Sequence, residues 1–182
     1  MAAARVGHVG IMQLLLSHLE TSQARTELVN HLPTSNHQTA LIVAVHNQQL
    51  DAVKFLLQQD GIDVSHRVQG GWNALVVACE AGHLESVRLL LSADDSISIT
   101  LRDNGWSALH QACSGGFSDI VRLLLEVTST NIINLESLDH HTPLSLAARN
   151  NHAAVVKLLV HDGRAEIGHK IDGQMGHTAL HY

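Results

Sequence analysis

Fifteen histidines stand in this chain of 182 residues, and imidazole is the side chain that binds metals and moves protons near neutral pH. The densest grouping is Asp139-His140-His141, one carboxylate beside two imidazoles. A closed zinc site takes four ligands, so a solvated turn is the expected reading, and no metal or cofactor is assigned. GxxxxGK[ST], GxGxxG after a strand, HExxH, CxxC and GxSxG are all missing. The chain is therefore read as no enzyme. Two rarer side-chain types say more through their spacing. The only tryptophans, Trp72 and Trp106, and the only cysteines, Cys79 and Cys113, are each 34 residues apart. One offset shared by unrelated side chains implies a repeated element that positions both.

That element is clearest in GWSALHQACSGGFSDIVRLLL, Gly105–Leu125. Gly105 permits a positive-φ turn and Ser107 can cap a helix. Leu109, Ala112 and Cys113 then fall at i, i+3 and i+4 on one face. Gly115–Gly116 breaks this helix, and Ile120, Val121, Leu124 and Leu125 form a second apolar stripe. The capping slot recurs as Thr39, Asn73, Ser107, Thr142 and Thr178, at intervals of 34, 34, 35 and 36 residues. The leucine run recurs as Leu14–Leu16, Phe55–Leu57, Leu89–Leu91, Leu123–Leu125 and Leu158–Val160. A fixed period in the thirties marks a solenoid, whose units bury their apolar faces only against one another.

HTPLSLAARNNHAAVVKLLV (His141–Val160), GWNALVVACEAGHLESVRLLL (Gly71–Leu91) and AARVGHVGIMQLLL (Ala3–Leu16) resemble the ankyrin repeat, and the likeness extends over almost the whole chain. The departures are local. Thr-Pro survives intact only at Thr142–Pro143, and Gly-His becomes Gln48–Gln49, Gly116–Phe117 and Asn151–His152. The resemblance implies an all-α solenoid of stacked helix-turn-helix units joined by hairpin loops. The units are a partial repeat with an inserted loop (1–33), four repeats (34–66, 67–100, 101–135, 136–171) and the start of a further one (172–182). Within the insertion, Ala24–Leu32 is expected to add a helical turn before Pro33.

The resemblance also implies a non-catalytic protein-protein interaction module, binding a peptide or folded partner on its concave hairpin and inner-helix surface. The alternative is the regulatory or targeting arm of a larger enzyme, channel or microbial effector. Residues just before the capping slots face the concave side: Gln38, Trp72, Trp106, His141 and His177. Large aromatics dominate interface energies, so Trp72 and Trp106, expected side by side, are the candidate binding centre, weighed against simple packing on the neighbouring hairpin. Around them His46, Glu80, Ser114, Arg149 and Asn150, with Arg102 and Asn104, form a mostly polar rim. His8, His83, His110, His152 and His181 sit in slots where such repeats prefer histidine, and their rings are expected to bond backbone of the neighbouring loop. Asn134 matches a hairpin asparagine modified by hydroxylases in some ankyrin-like repeats; hydrogen bonding within its own hairpin is its expected ordinary role.

Composition agrees with this reading. A hydrophobic fraction of 45% suffices for a sizeable core. No apolar run is long enough to span a membrane, and a formal charge of −6 argues against nucleic-acid partners or an anionic membrane surface. Equivalent positions on stacked helices lie roughly 8–10 Å apart, so Cys79 and Cys113 are expected as buried free thiols in a reducing compartment, cytoplasmic with nuclear as the alternative. Both ends fall inside repeats. A fragment of a longer array is expected, monomeric in its full-length context, with self-association through uncapped ends as the alternative.

Overall fold

Each repeat opens at a short polar side chain that accepts from one of the free N–H groups of a helix start. Thr39 Oγ1 accepts from Ile42 N, Asn73 Oδ1 from Val76 N, Ser107 Oγ from His110 N, and Thr142 Oγ1 from Ser145 N, at 2.8–3.3 Å. The computed structural model describes residues 1–32, 37–94, 101–170 and 178–181 and divides into two compact units, Met1–Ile97 and Ser98–Tyr182.

The first unit holds α1 (Ala2–Arg5), α2 (Val9–Ser17), α3 (Ser22–Val29), α4 (Ala40–His46), α5 (Leu50–Leu57), α6 (Ala74–Glu80) and α7 (Leu84–Ala93). The second holds α8 (Ala108–Gly115), α9 (Ser118–Val127), α10 (Thr130–Ile133), α11 (Pro143–Arg149) and α12 (Ala153–Asp162), then a 3₁₀ turn at Ala179–His181. Inner helices stack on inner and outer on outer: α4 packs on α1 and α6, α5 on α2 and α7, α8 on α11, and α9 on α12. The interlayer is aliphatic, with Leu41, Ala44, Val45, Val53, Leu75 and Leu90 sealed in the first unit and Leu109, Ala112, Val121, Leu124, Ala147 and Leu159 in the second. The only β pairing among the described residues consists of two isolated bridges at hairpin turns, Val68 with Trp72 and Leu101 with Ser107. This is the all-α stack of helix-turn-helix repeats that the period demands.

The inserted segment forms α3, starting at Ser22 instead of Ala24, because Thr21 Oγ1 accepts from Ala24 N at 3.1 Å and so sets the cap earlier. Asn30 closes this helix and donates through Nδ2 to Gly61 O at 2.7 Å, while its Oδ1 accepts from Asp63 N at 2.9 Å.

The turn between the helices of a pair needs one left-handed residue. Gly7, Gly82 and Gly116 supply it at φ 72–74°, and the slot stays left-handed at Gln48 (φ 57°) and Asn151 (φ 60°) where glycine is replaced. A side chain there costs roughly 1–2 kcal/mol, so the tertiary stack overrides local preference. At Gly116 a Cβ would also lie 2.5 Å from His152 Nδ1, so a side chain there would displace that ring.

Asn73 is the one amide among hydroxyl caps. Its Nδ2 is buried with no hydrogen-bond partner. A hydroxyl keeps the cap and removes the stranded donor, so Asn73→Thr should stabilise the chain by about 1 kcal/mol, measured as a higher urea midpoint at unchanged m-value.

Candidate functional site

In the first unit, residues 34 apart are carried onto the facing flanks of α4 and α6. Ile42 and His46, spaced i, i+4, share one face of α4, and Val77 and Glu80, spaced i, i+3, share the matching face of α6, while Gln38 and Trp72 stand just before the Thr39 and Asn73 caps of those helices. These six residues, with Val68 and Gln69 of the hairpin, line a groove of about 370 Å³. Ile42 (2% exposed) and Val77 (7%) form its floor. His46 and Glu80 are exposed at the last positions of their helices, and Trp72 is half-buried at the mouth. The Val68–Trp72 bridge, closed by Val68 N donating to Trp72 O at 2.8 Å, fixes the tryptophan. At Gly70 (φ 83°) a Cβ would lie 3.1 Å from the indole Cδ1, so glycine at this tip serves both the turn and the ring. Gln38, His46, Trp72 and Glu80, singled out one by one in the sequence, are thus brought together.

The second unit arranges its candidates differently. Arg102, Asn104 and Trp106 build one tight turn: Arg102 N donates to Trp106 O at 2.7 Å, and Asn104 Oδ1 accepts from Trp106 N at 3.2 Å. Gly105 adopts φ 79°, and a Cβ there would meet Leu138 N and Ser137 Cα at 3.2 Å. The Trp106 indole stacks on His110, with centroids 6.1 Å apart and planes at 28°, and its Nε1 is buried with no acceptor. The Trp106 ring thus packs on the helix of its own repeat.

His110 is fully buried. Ser107 N donates to its Nδ1 at 3.1 Å, which leaves the ring proton on Nε2, where Leu135 O (3.0 Å) and His141 O (3.2 Å) accept it. Burial lowers its pKa to about 4, against the raising effect of the two carbonyls.

Two expectations are corrected, at His141 and Asn134. His141, expected on the open concave side, is 5% exposed; its Nε2 accepts from Arg149 Nη1 at 3.0 Å and its Nδ1 lies 3.4 Å from Ser145 Oγ. The ring is drawn under α11, where it orients Arg149, and burial and the adjacent guanidinium lower its pKa. Ser114, half-buried, and Asn150, exposed, also bond to each other: Asn150 Nδ2 donates to Ser114 O at 2.8 Å and to Ser114 Oγ at 3.0 Å, joining successive helix ends. Asn134 bonds across to the next hairpin instead of within its own, donating to Arg164 O and accepting from Glu166 N, each at 2.8 Å. Asn30 does the same in the first unit, a position that sequence reading missed although Val-Asn repeats Ile-Asn at the end of a short helix. His177 lies outside the described residues.

The histidine slots divide. His83 reaches Val45 O at 3.2 Å and His152 reaches Ser114 O at 2.9 Å, so both rings, like His110, tie one repeat to another. His83 has a lowered pKa, chiefly from burial. His181 bonds Thr178 of its own repeat, and His8 is exposed. The Asp139-His140-His141 side chains are arranged apart: His140 pairs with Glu136 at 3.1 Å, His169 lies 2.9 Å from the other Glu136 oxygen, and His141 is buried. Among the described residues no group of three His, Cys, Asp or Glu side chains is placed to hold a metal. Cys79 and Cys113 are buried and not joined in a disulfide, and burial pushes the Cys79 thiol pKa up. No described helix is long and apolar enough to cross a membrane.

Stacked helix pairs with hairpin tips and a grooved inner face define a helical repeat protein whose geometry suits surface recognition. Comparison with protein families agrees: the pattern of ankyrin repeats in three copies matches residues 1–68 and 61–135, and that of the single ankyrin repeat matches 139–172. The chain belongs to the ankyrin repeat family. Ankyrin repeats are generally protein-protein interaction modules and are typically non-catalytic. No curated protein matches the chain.

Proposed function

We propose that this chain is a non-catalytic binding module that holds a peptide or an extended segment of a folded protein on the inner-helix face of its repeats, with Trp72 as the anchor in the first unit. The observation that carries this reading is the convergence of Gln38, His46, Trp72 and Glu80 on one groove with an aliphatic floor. An amphipathic ring over buried apolar residues, edged by polar groups, is the arrangement from which interface hot spots are built. In the second unit Arg149, steered by His141, supplies a guanidinium on the exposed end of α11, Arg102, Asn104 and Trp106 stand together on the hairpin turn before α8, and Ser114 and Asn150 hold the helix ends in register.

The test uses peptides selected on the immobilised chain from an unbiased display library. Trp72→Ala should weaken them at least tenfold while the variant still melts cooperatively. Unchanged affinity in the folded variant would remove Trp72 from the contact surface and leave it a packing residue.

A further inference from the structure

We propose that the groove of the first unit receives a lysine or arginine side chain of the partner, its aliphatic stem lying along Trp72 and Val77 and its charged head meeting Glu80. This rests on the groove being the partner site. Glu80 is the one carboxylate among the lining residues, and no lysine or arginine lines the groove. It is exposed at the last position of α6 and has no hydrogen bond or ion pair among the described residues. The carboxylate therefore stands unneutralised over a floor made by Ile42 and Val77.

The dimensions suit a long cationic side chain. The groove runs along α6, from Trp72 just before the Asn73 cap to Glu80 at the last helical position, and seven helical residues span roughly 10 Å at a rise of 1.5 Å per residue. A glutamate side chain leans toward the helix N-terminus, back toward Val77, which shortens the span. Lysine and arginine lay an apolar stem along apolar surface and keep the head polar, and an indole face attracts a cation within about 6 Å. The opposite wall offers an amide at Gln38 and an imidazole at His46, which can bond the flanking peptide backbone.

Other ligand classes fit less well. An acidic side chain would face Glu80 directly, and an aliphatic one would cover the carboxylate without pairing it, which is unfavourable. The net charge of −6 adds a long-range bias toward basic segments.

The deciding experiment screens the full chain against a positional peptide library, each pool fixing one residue type at the central position. Enrichment of lysine and arginine pools is expected, together with at least a tenfold affinity loss in Glu80→Gln and a shift of preference toward aspartate and glutamate pools in Glu80→Lys. Both substitutions lie at an exposed helix end, and thermal melts of the variants verify that the fold is retained. Enrichment of acidic or aliphatic pools, full affinity in Glu80→Gln, or no selection from any pool would overturn the inference. Selected peptides that lose affinity in Trp72→Ala yet carry no cation would leave the groove as the partner site and remove only its charge preference.

Discussion

Acidification from pH 6.5 to about 4 is expected to remove about 3 kcal/mol of stability through His110 alone. The pKa falls from 6.5 in the unfolded chain to about 4 in the fold, and each unit of difference is worth about 1.4 kcal/mol. The sign follows from proton uptake. Between these values the unfolded chain holds the proton and the folded chain does not, so stability is fully present above 6.5, drains as pH falls, and is lost once pH passes the folded pKa. The physical cause is burial first, joined by geometry: Nδ1 already accepts from Ser107 N, so a second ring proton would confront an N–H group. His83 and His141 have lowered values and act in the same direction. Asp162 acts in a separate, more acidic window: Arg164 lowers its pKa below 3.8, so its contribution is lost only as pH drops beneath the carboxylate range. Urea unfolding at pH 7, 5.5 and 4.5 measures the slope. His110→Gln, less stable at neutral pH, should show a much flatter slope, and an identical slope in that variant would assign the acid sensitivity to other groups.

Leu159→Ala is expected to destabilise the chain by about 3 kcal/mol, whereas Leu15→Ala, at the equivalent slot of the first repeat, should cost less than about 0.5 kcal/mol. The two leucines hold the same place in the heptameric run after the histidine slot, yet Leu159 is fully buried and Leu15 is 54% exposed. Leu56 (3%) and Leu90 (0%) show the slot as it normally is, and the preceding position of the same stripe repeats the contrast, with Ile120 at 2% and Ile11 at 49%. Helix α12 presents Leu159 to a structure that contains α9, so truncation leaves a cavity in a layer that cannot collapse around it. Around Leu15 water already has access. Denaturation midpoints of the two variants, measured side by side, test the contrast; equal losses would mean that the first repeat is covered in solution.

The repeat architecture was legible because each unit writes the same local instructions. A cap, a small-residue pair, a left-handed turn and a leucine stripe are short-range signals that need no knowledge of the rest of the chain. The gathering of Gln38, His46, Trp72 and Glu80 was also legible, since a constant period places equivalent residues on neighbouring helices. The failures share a cause. His141 and Asn134 are polar residues near helix ends and turns, and sequence position alone assigns such groups to the surface or to their own hairpin. In the structure they are engaged by groups 4 to 32 residues away, and an engaged polar group is a structural member.

The sequence by itself determined the order of helix pairs, the family, and the inner-face positions Gln38, His46, Trp72 and Glu80, because helical periodicity and caps act within a few residues. Only the tertiary structure decided what each of these groups packs against. Trp106 leans on His110 while Trp72 lines a groove, and Arg149 is steered by a buried His141 while Glu80 has no ion pair among the described residues. Burial and hydrogen-bond satisfaction are properties of what the neighbouring repeat brings into contact, and identical slots receive different neighbours.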